Sequence, residues 1–123
     1  MNQRVVTPQE VETRLRLLSG EIDRAHADLA KAEMNYEVGK ADLEIGLARS
    51  RMTAPNRGLD KLTVRDKEDS ALLANEDAIR NMAIVEAVVK AARANANRLR
   101  TQVDIARSIG TSVRTSMDQS GAS

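Results

Sequence analysis

Residues 92–117 read ARANANRLRTQVDIARSIGTSVRTSM and carry two registers at once. Ala92, Ala96, Leu99, Val103, Ala106, Gly110, Val113 and Met117 alternate steps of four and three, the spacing of one apolar stripe on an α-helix. Arg93, Arg100, Arg107 and Arg114 follow at strict seven-residue intervals. Seven residues make about two helical turns, so the four guanidinium groups share one edge, roughly 10 Å apart. Such an edge pairs with acidic residues of a neighbouring helix or binds a polyanion.

Upstream, the same stripe extends back through Val89, Val85, Met82, Ala78, Asn75, Ala71 and Val64. Thr63 suits the N-cap and Asp66 completes a Thr-x-x-Asp capping box, which predicts a helix over 63–118. A second proline and a glycine mark a turn at 53–62. Before it, Thr7, Pro8 and Glu10 announce another helix, expected over 8–52. Its stripe runs Val11, Leu15, Leu18, Ile22, Ala25, Leu29, Ala32, Tyr36, Gly39, Leu43, Gly46 and Ser50 without losing phase at Gly20. Residues 1–6 form an N-terminal arm in this reading, and residues 119–123 a disordered tail.

The expected fold is all-α: a long antiparallel helical hairpin with coiled-coil heptads, which assembles into a homo-oligomeric bundle or ring. Gly39 and Gly46, facing Ala71, Ala74 and Ala78, let the backbones come close near the turn. Leu72, Ile79, Ile84, Val88, Ile105 and Ile109 widen the stripe beyond what one hairpin covers, which argues for self-association. The residues assigned to oligomerisation are Val89, Ala92, Ala96, Leu99, Val103, Ala106, Ile109 and Val113.

Composition excludes several classes of chemistry. The chain has 123 residues, 30% of them charged, with no Phe, Trp or Cys and a single Tyr. The core must come from small aliphatic residues, and neither a disulfide scaffold nor a thiolate metal site exists. No run is apolar and long enough for a membrane span, and the N-terminus lacks a signal-type apolar region, so a soluble cytoplasmic protein is expected. His26 stands three residues after Asp23, too few donors for a metal site, and reads as a solvated surface histidine. Asp66, Glu68 and Asp69 begin a helix, where they complement its dipole. With no phosphate loop and no nucleophile–base pair, neither an enzyme nor a cofactor is expected.

The net charge of +1 conceals a partition. Residues 49–67 hold Arg49, Arg51, Arg57, Lys61, Arg65 and Lys67 against Asp60 and Asp66, while residues 90–117 hold six cations against Asp104 alone. Glu12 and Glu33 lie on the flank of the first helix that matches the arginine ladder, but they are too few to neutralise every rung. One tyrosine cannot form a base-stacking platform, so any nucleic-acid binding runs through phosphates and is nearly blind to sequence.

Residues 36–51, YEVGKADLEIGLARSR, resemble the bacteriophage recombination mediators of the UvsY type, whose long helix carries a Lys-Ala-Arg-Leu motif. The matching positions here are Lys40, Ala41, Asp42 and Leu43, followed by Leu62-Thr63-Val64 and an Ala-rich helix ending in Ile105-Ala-Arg-Ser-Ile109. The likeness covers most of the chain by architecture and a few positions by identity. It implies an oligomeric, non-catalytic protein that binds single-stranded DNA and helps load a RecA-like recombinase onto DNA coated by single-strand-binding protein. Lys40 carries over as a phosphate contact. Asp42 stands where the family has arginine and does not.

The expected DNA contacts are therefore Lys40, Arg49, Arg51, Arg57, Lys61, Arg65 and Lys67 near the turn, with Arg93, Arg100, Arg107 and Arg114 as a second surface. The alternative is a coiled-coil scaffold or adaptor whose arginines serve only oligomerisation. A secreted helical-hairpin dimer of the WXG type is excluded by the lack of a Trp-x-Gly turn.

Overall fold

Helix α1, Pro8–Thr53, starts where the cap predicts: the Thr7 hydroxyl accepts from the Glu10 amide at 3.2 Å. Pro8 holds the first helical position, where no amide hydrogen is needed. Helix α2, Val64–Ala74, opens on the expected capping box. The Asp66 amide donates to the Thr63 hydroxyl at 3.1 Å, and the Thr63 amide donates to the Asp66 carboxylate at 3.3 Å. Helix α3 follows as Glu76–Gly121. The computed structural model describes residues 6–53 and 63–121, and among them the fold is all-α, without a strand.

The single helix expected over 63–118 is interrupted at Asn75, and α3 runs on to Gly121 through part of the stretch expected to be a tail. No residue between Met117 and Ser120 breaks a helix, whereas glycine commonly ends one. The turn expected at 53–62 lies, but for Thr53 at the end of α1, outside the described residues, as does most of the N-terminal arm.

The chain forms two compact units, residues 1–29 with 92–123 and residues 30–91. In the first, α1 and α3 run antiparallel: Val11 meets Gly110, and Arg14 donates to Gln102 at 3.4 Å. Its core is Leu18, Ala25, Ala96, Leu99, Val103 and Ala106, with Leu15, Ile22 and Leu29 packed against it. Leu18 is 1% exposed and is the largest fully buried side chain. At Gly110 a Cβ would stand 2.9 Å from a Val11 methyl, so the missing side chain sets how closely the backbones approach.

In the second unit α1 meets α2 and the first turns of α3. Ala32, Ala71 and Val89 are buried. Asn75 stands at an inward position and crosses to α1, its amide donating to the Ser50 hydroxyl at 2.9 Å and to the Gly46 carbonyl at 3.5 Å. The same amide group donates back to the Ala71 carbonyl at 2.8 Å. A Cβ on Gly46 would lie 2.7 Å from the Asn75 side-chain oxygen, so any larger residue there pushes that side chain aside.

All twelve stripe positions of α1 are buried or half-buried. Three positions assigned to the second stripe are not. Val64 is 77% and Met117 56% exposed, since each lies near the end of its helix. Ala78 is exposed and Ile79 half-buried in its stead. A helical side chain leans toward the N-terminal turn, so the longer isoleucine covers the inward spot from one position further on.

Leu18→Ala is expected to cost about 3 kcal/mol in urea unfolding, while Leu17→Ala, at a position more than half exposed, costs less than about 0.5 kcal/mol. Gly46→Ala displaces the Asn75 side chain from Ser50, and a loss of about 1–3 kcal/mol is expected. A Gly46 variant more stable than the wild type by the roughly 1 kcal/mol that alanine gains over glycine inside a helix would show that the crossing bond contributes nothing.

Candidate nucleic-acid interface

Helix α3 presents Arg93, Arg100, Arg107 and Arg114 along one exposed edge, all within the first unit. Each of Arg100 and Arg107 follows a buried core residue, Leu99 or Ala106, so its aliphatic stem begins at the lip of the core. The local reason is the phase of the heptad. The position next to an inward residue on this side faces the flank where the two helices meet.

On the facing flank α1 supplies Glu12, Arg16 and Ser19. Arg107 shares an open groove of about 470 Å³ with Glu12, Leu15, Arg16 and Ser19. Arg114 borders a neighbouring groove of about 280 Å³ with Glu12, Leu15 and Gly110, and donates from Nε to the Gly110 carbonyl at 3.4 Å. Two cations thus surround a single carboxylate in the first groove. Arg16 was not among the residues singled out from sequence. Counting the register across from Arg107 is the signal that finds it.

Two ion pairs lie away from Arg100 and Arg107. Glu76 pairs with Arg80, and Glu86 with Lys90 at 3.6 Å, both one helical turn apart and both in the second unit. Among the described residues, the guanidinium group of neither Arg100 nor Arg107 has an ion-pair or hydrogen-bond partner. Arg93 does hold a partner and is not one of the open rungs. Arg98 points to Asn95, with Nη2 donating to the side-chain oxygen at 3.0 Å.

The second unit holds the other expected contacts. Lys40, Arg49 and Arg51 are exposed on α1, Arg65 is exposed on α2, and Lys67 is half-buried. Arg57 and Lys61 lie outside the described residues. Asp42 is exposed two residues from Lys40, and Asp66, Glu68 and Asp69 interleave with Arg65 and Lys67. Lys40, Arg65 and Lys67 have carboxylates close in sequence, Arg49 and Arg51 have none between Glu44 and Asp60, and on the ladder Asp104 is the only acidic residue between 90 and 117.

The positions assigned to oligomerisation need correction. Val89, Ala96, Leu99, Val103 and Ala106 are buried against the chain's own helices, and Ala92 and Val113 are half-buried. A side chain already covered has no surface to give a second subunit. Of the eight, only Ile109 is open, at 43% exposure.

His26 and Asp23 are both exposed, and among the described residues no group of three or more His, Cys, Asp or Glu is placed to hold a metal. No described helix is long and apolar enough to cross a membrane. Comparison with known proteins gives no family model, no curated protein and no solved structure that matches the chain.

Removing the open rungs should leave the fold intact. The double variant Arg100→Gln/Arg107→Gln is expected to keep its unfolding free energy within about 0.5 kcal/mol of wild type, as for exposed, unpaired charges. A loss well beyond that in denaturant titration would mean the two arginines hold the helices together.

Proposed function

We propose that this chain binds single-stranded DNA through phosphate contacts from the arginine flank of its first unit. The observation that carries the reading is the pair Arg100 and Arg107, exposed and unpartnered, with Arg16 across the groove from Arg107. Charges left open at a regular spacing suit a polymer of regularly spaced charge better than a single small anion. Lys40, Arg49, Arg51 and Arg65 in the second unit form a secondary surface, in which Asp42 and Asp66 offset Lys40 and Arg65.

With no base-stacking aromatic beside the ladder, recognition is electrostatic and sequence-independent. Following the resemblance to UvsY-type mediators, the role proposed is that of a non-catalytic recombination mediator of a bacteriophage. It would act in the cytoplasm of a bacterial host, organising single strands for a RecA-like recombinase in the presence of single-strand-binding protein.

One observation favours a second reading, a scaffold whose arginines serve assembly. Glu12 borders the grooves of both Arg107 and Arg114, which shows that a carboxylate can sit beside the ladder. In that reading a neighbouring subunit supplies the remaining acids.

Fluorescence anisotropy of a labelled oligo-dT, titrated across a salt series, separates the two. The mediator reading expects saturable binding that weakens log-linearly with salt. It also expects Arg100→Gln/Arg107→Gln to reduce the slope by about 1.4, at about 0.7 per phosphate contact on a single strand. Absence of binding at low salt by the folded protein, or a slope unchanged in the double variant, contradicts it.

A further inference from the structure

Within the first unit α3 has two unlike sides. The ladder side carries Arg100, Asp104, Arg107 and Arg114. Arg98 lies on the other side, but beyond it positions 101, 102, 105, 108, 109, 112, 115 and 116 read Thr, Gln, Ile, Ser, Ile, Ser, Thr and Ser, with no charge among them. In a chain that is 30% charged, this is the charge depletion that marks the centre of an interface. The threonine polarity is spent inwardly as well. Thr101 donates its hydroxyl to the Asn97 carbonyl at 3.1 Å and Thr115 to the Thr111 carbonyl at 2.9 Å.

Ile105 and Ile109 stand 54% and 43% exposed on this side. Beside them opens a largely apolar groove of about 620 Å³, lined by Val6, Ser108, Ile109, Ser112, Val113 and Met117. We infer that a second copy of this chain docks here, α3 against α3 in antiparallel orientation about a two-fold axis between Ser108 and Ile109.

Self-complementarity identifies the occupant. About that axis Ile105 falls on the partner's Ser112, and Ile109 on the partner's Ser108, so each large side chain meets a small one. Ser108 and Ser112 both line the groove, which therefore receives the partner's Ile105. An isologous contact brings each surface onto itself, which an uncharged face permits without like-charge repulsion. The arginine edge lies on the other side of the helix and stays open, so this contact does not depend on nucleic acid.

Sedimentation velocity without DNA, over a hundredfold range of concentration, is the test. A wild-type dimer is expected, and Ile105→Glu/Ile109→Glu should weaken it at least tenfold while the helical circular dichroism is kept. The chain has no cysteine, so single cysteines report the geometry independently of those variants. Under mild oxidation Ser108→Cys should form a covalent dimer, and Thr111→Cys, on the ladder side, should not. A wild-type monomer at every concentration, a dimer indifferent to the two glutamates, or equal cross-linking of both cysteines overturns the inference. A monomer that still binds oligo-dT separates its failure from that of the DNA reading.

Discussion

Alanine occupies half of the ten buried hydrophobic positions among the described residues, at 25, 32, 71, 96 and 106. A residue that small fills little space, so the helices in each unit approach until backbone and short side chains touch, as Gly110 does with Val11. The resulting core is one stripe wide. Most positions off that stripe are exposed, and the chemistry of the protein is written there. The ladder's arginines are open for this reason: the core ends at Leu99 and Ala106, and the next residue is already outside.

A narrow apolar stripe specifies alignment poorly, because one alanine resembles another. Asn75 answers that problem in the second unit. Its amide satisfies three oxygens, one on its own helix and two on α1, and it does so only where Gly46 leaves room. A polar residue at a single inward position fixes the register of paired helices at some cost in stability. Slipping α1 by one turn would strand the amide against apolar neighbours and lose those bonds. The same residue accounts for the interruption between α2 and α3, whose backbone bonds still bridge it through Ile79 to the Asn75 carbonyl.

Periodicity made the stripe legible. Leu15 through Ser50 on α1, and Met82 through Val113 on α3, stand buried or half-buried where the four-three alternation puts them. What the period cannot reveal is who covers a stripe. Val89, Ala96, Leu99, Val103 and Ala106 have the spacing of an oligomer seam, yet the chain's own α1 covers them. Ile105 and Ile109 were legible as widening the stripe, but the uncharged run from 101 to 116 beside them was not: serines and threonines carry no hydropathic signal, and only their alignment with the two isoleucines makes a face. The alternation put Asn75 on the stripe, but its crossing bonds have no signature in one sequence, since its partners Ser50 and Gly46 lie in another helix. Lys40, Arg49, Arg51 and Arg65 are exposed, with Asp42 near Lys40 and Asp66 beside Arg65, while Asp104 is the one carboxylate among the ladder's rungs.

The central claim is that Arg100 and Arg107 are open cations waiting for a polyanion. Proton–nitrogen correlation spectra of the arginine Nε groups, followed while oligo-dT is added, test it at the atoms concerned. The account predicts that Arg100, Arg107 and Arg16 shift and sharpen as their guanidinium groups engage phosphate, while Arg80, already paired with Glu76, stays in place. Shifts confined to Arg49, Arg51 and Arg65, or none on saturating DNA, would contradict it.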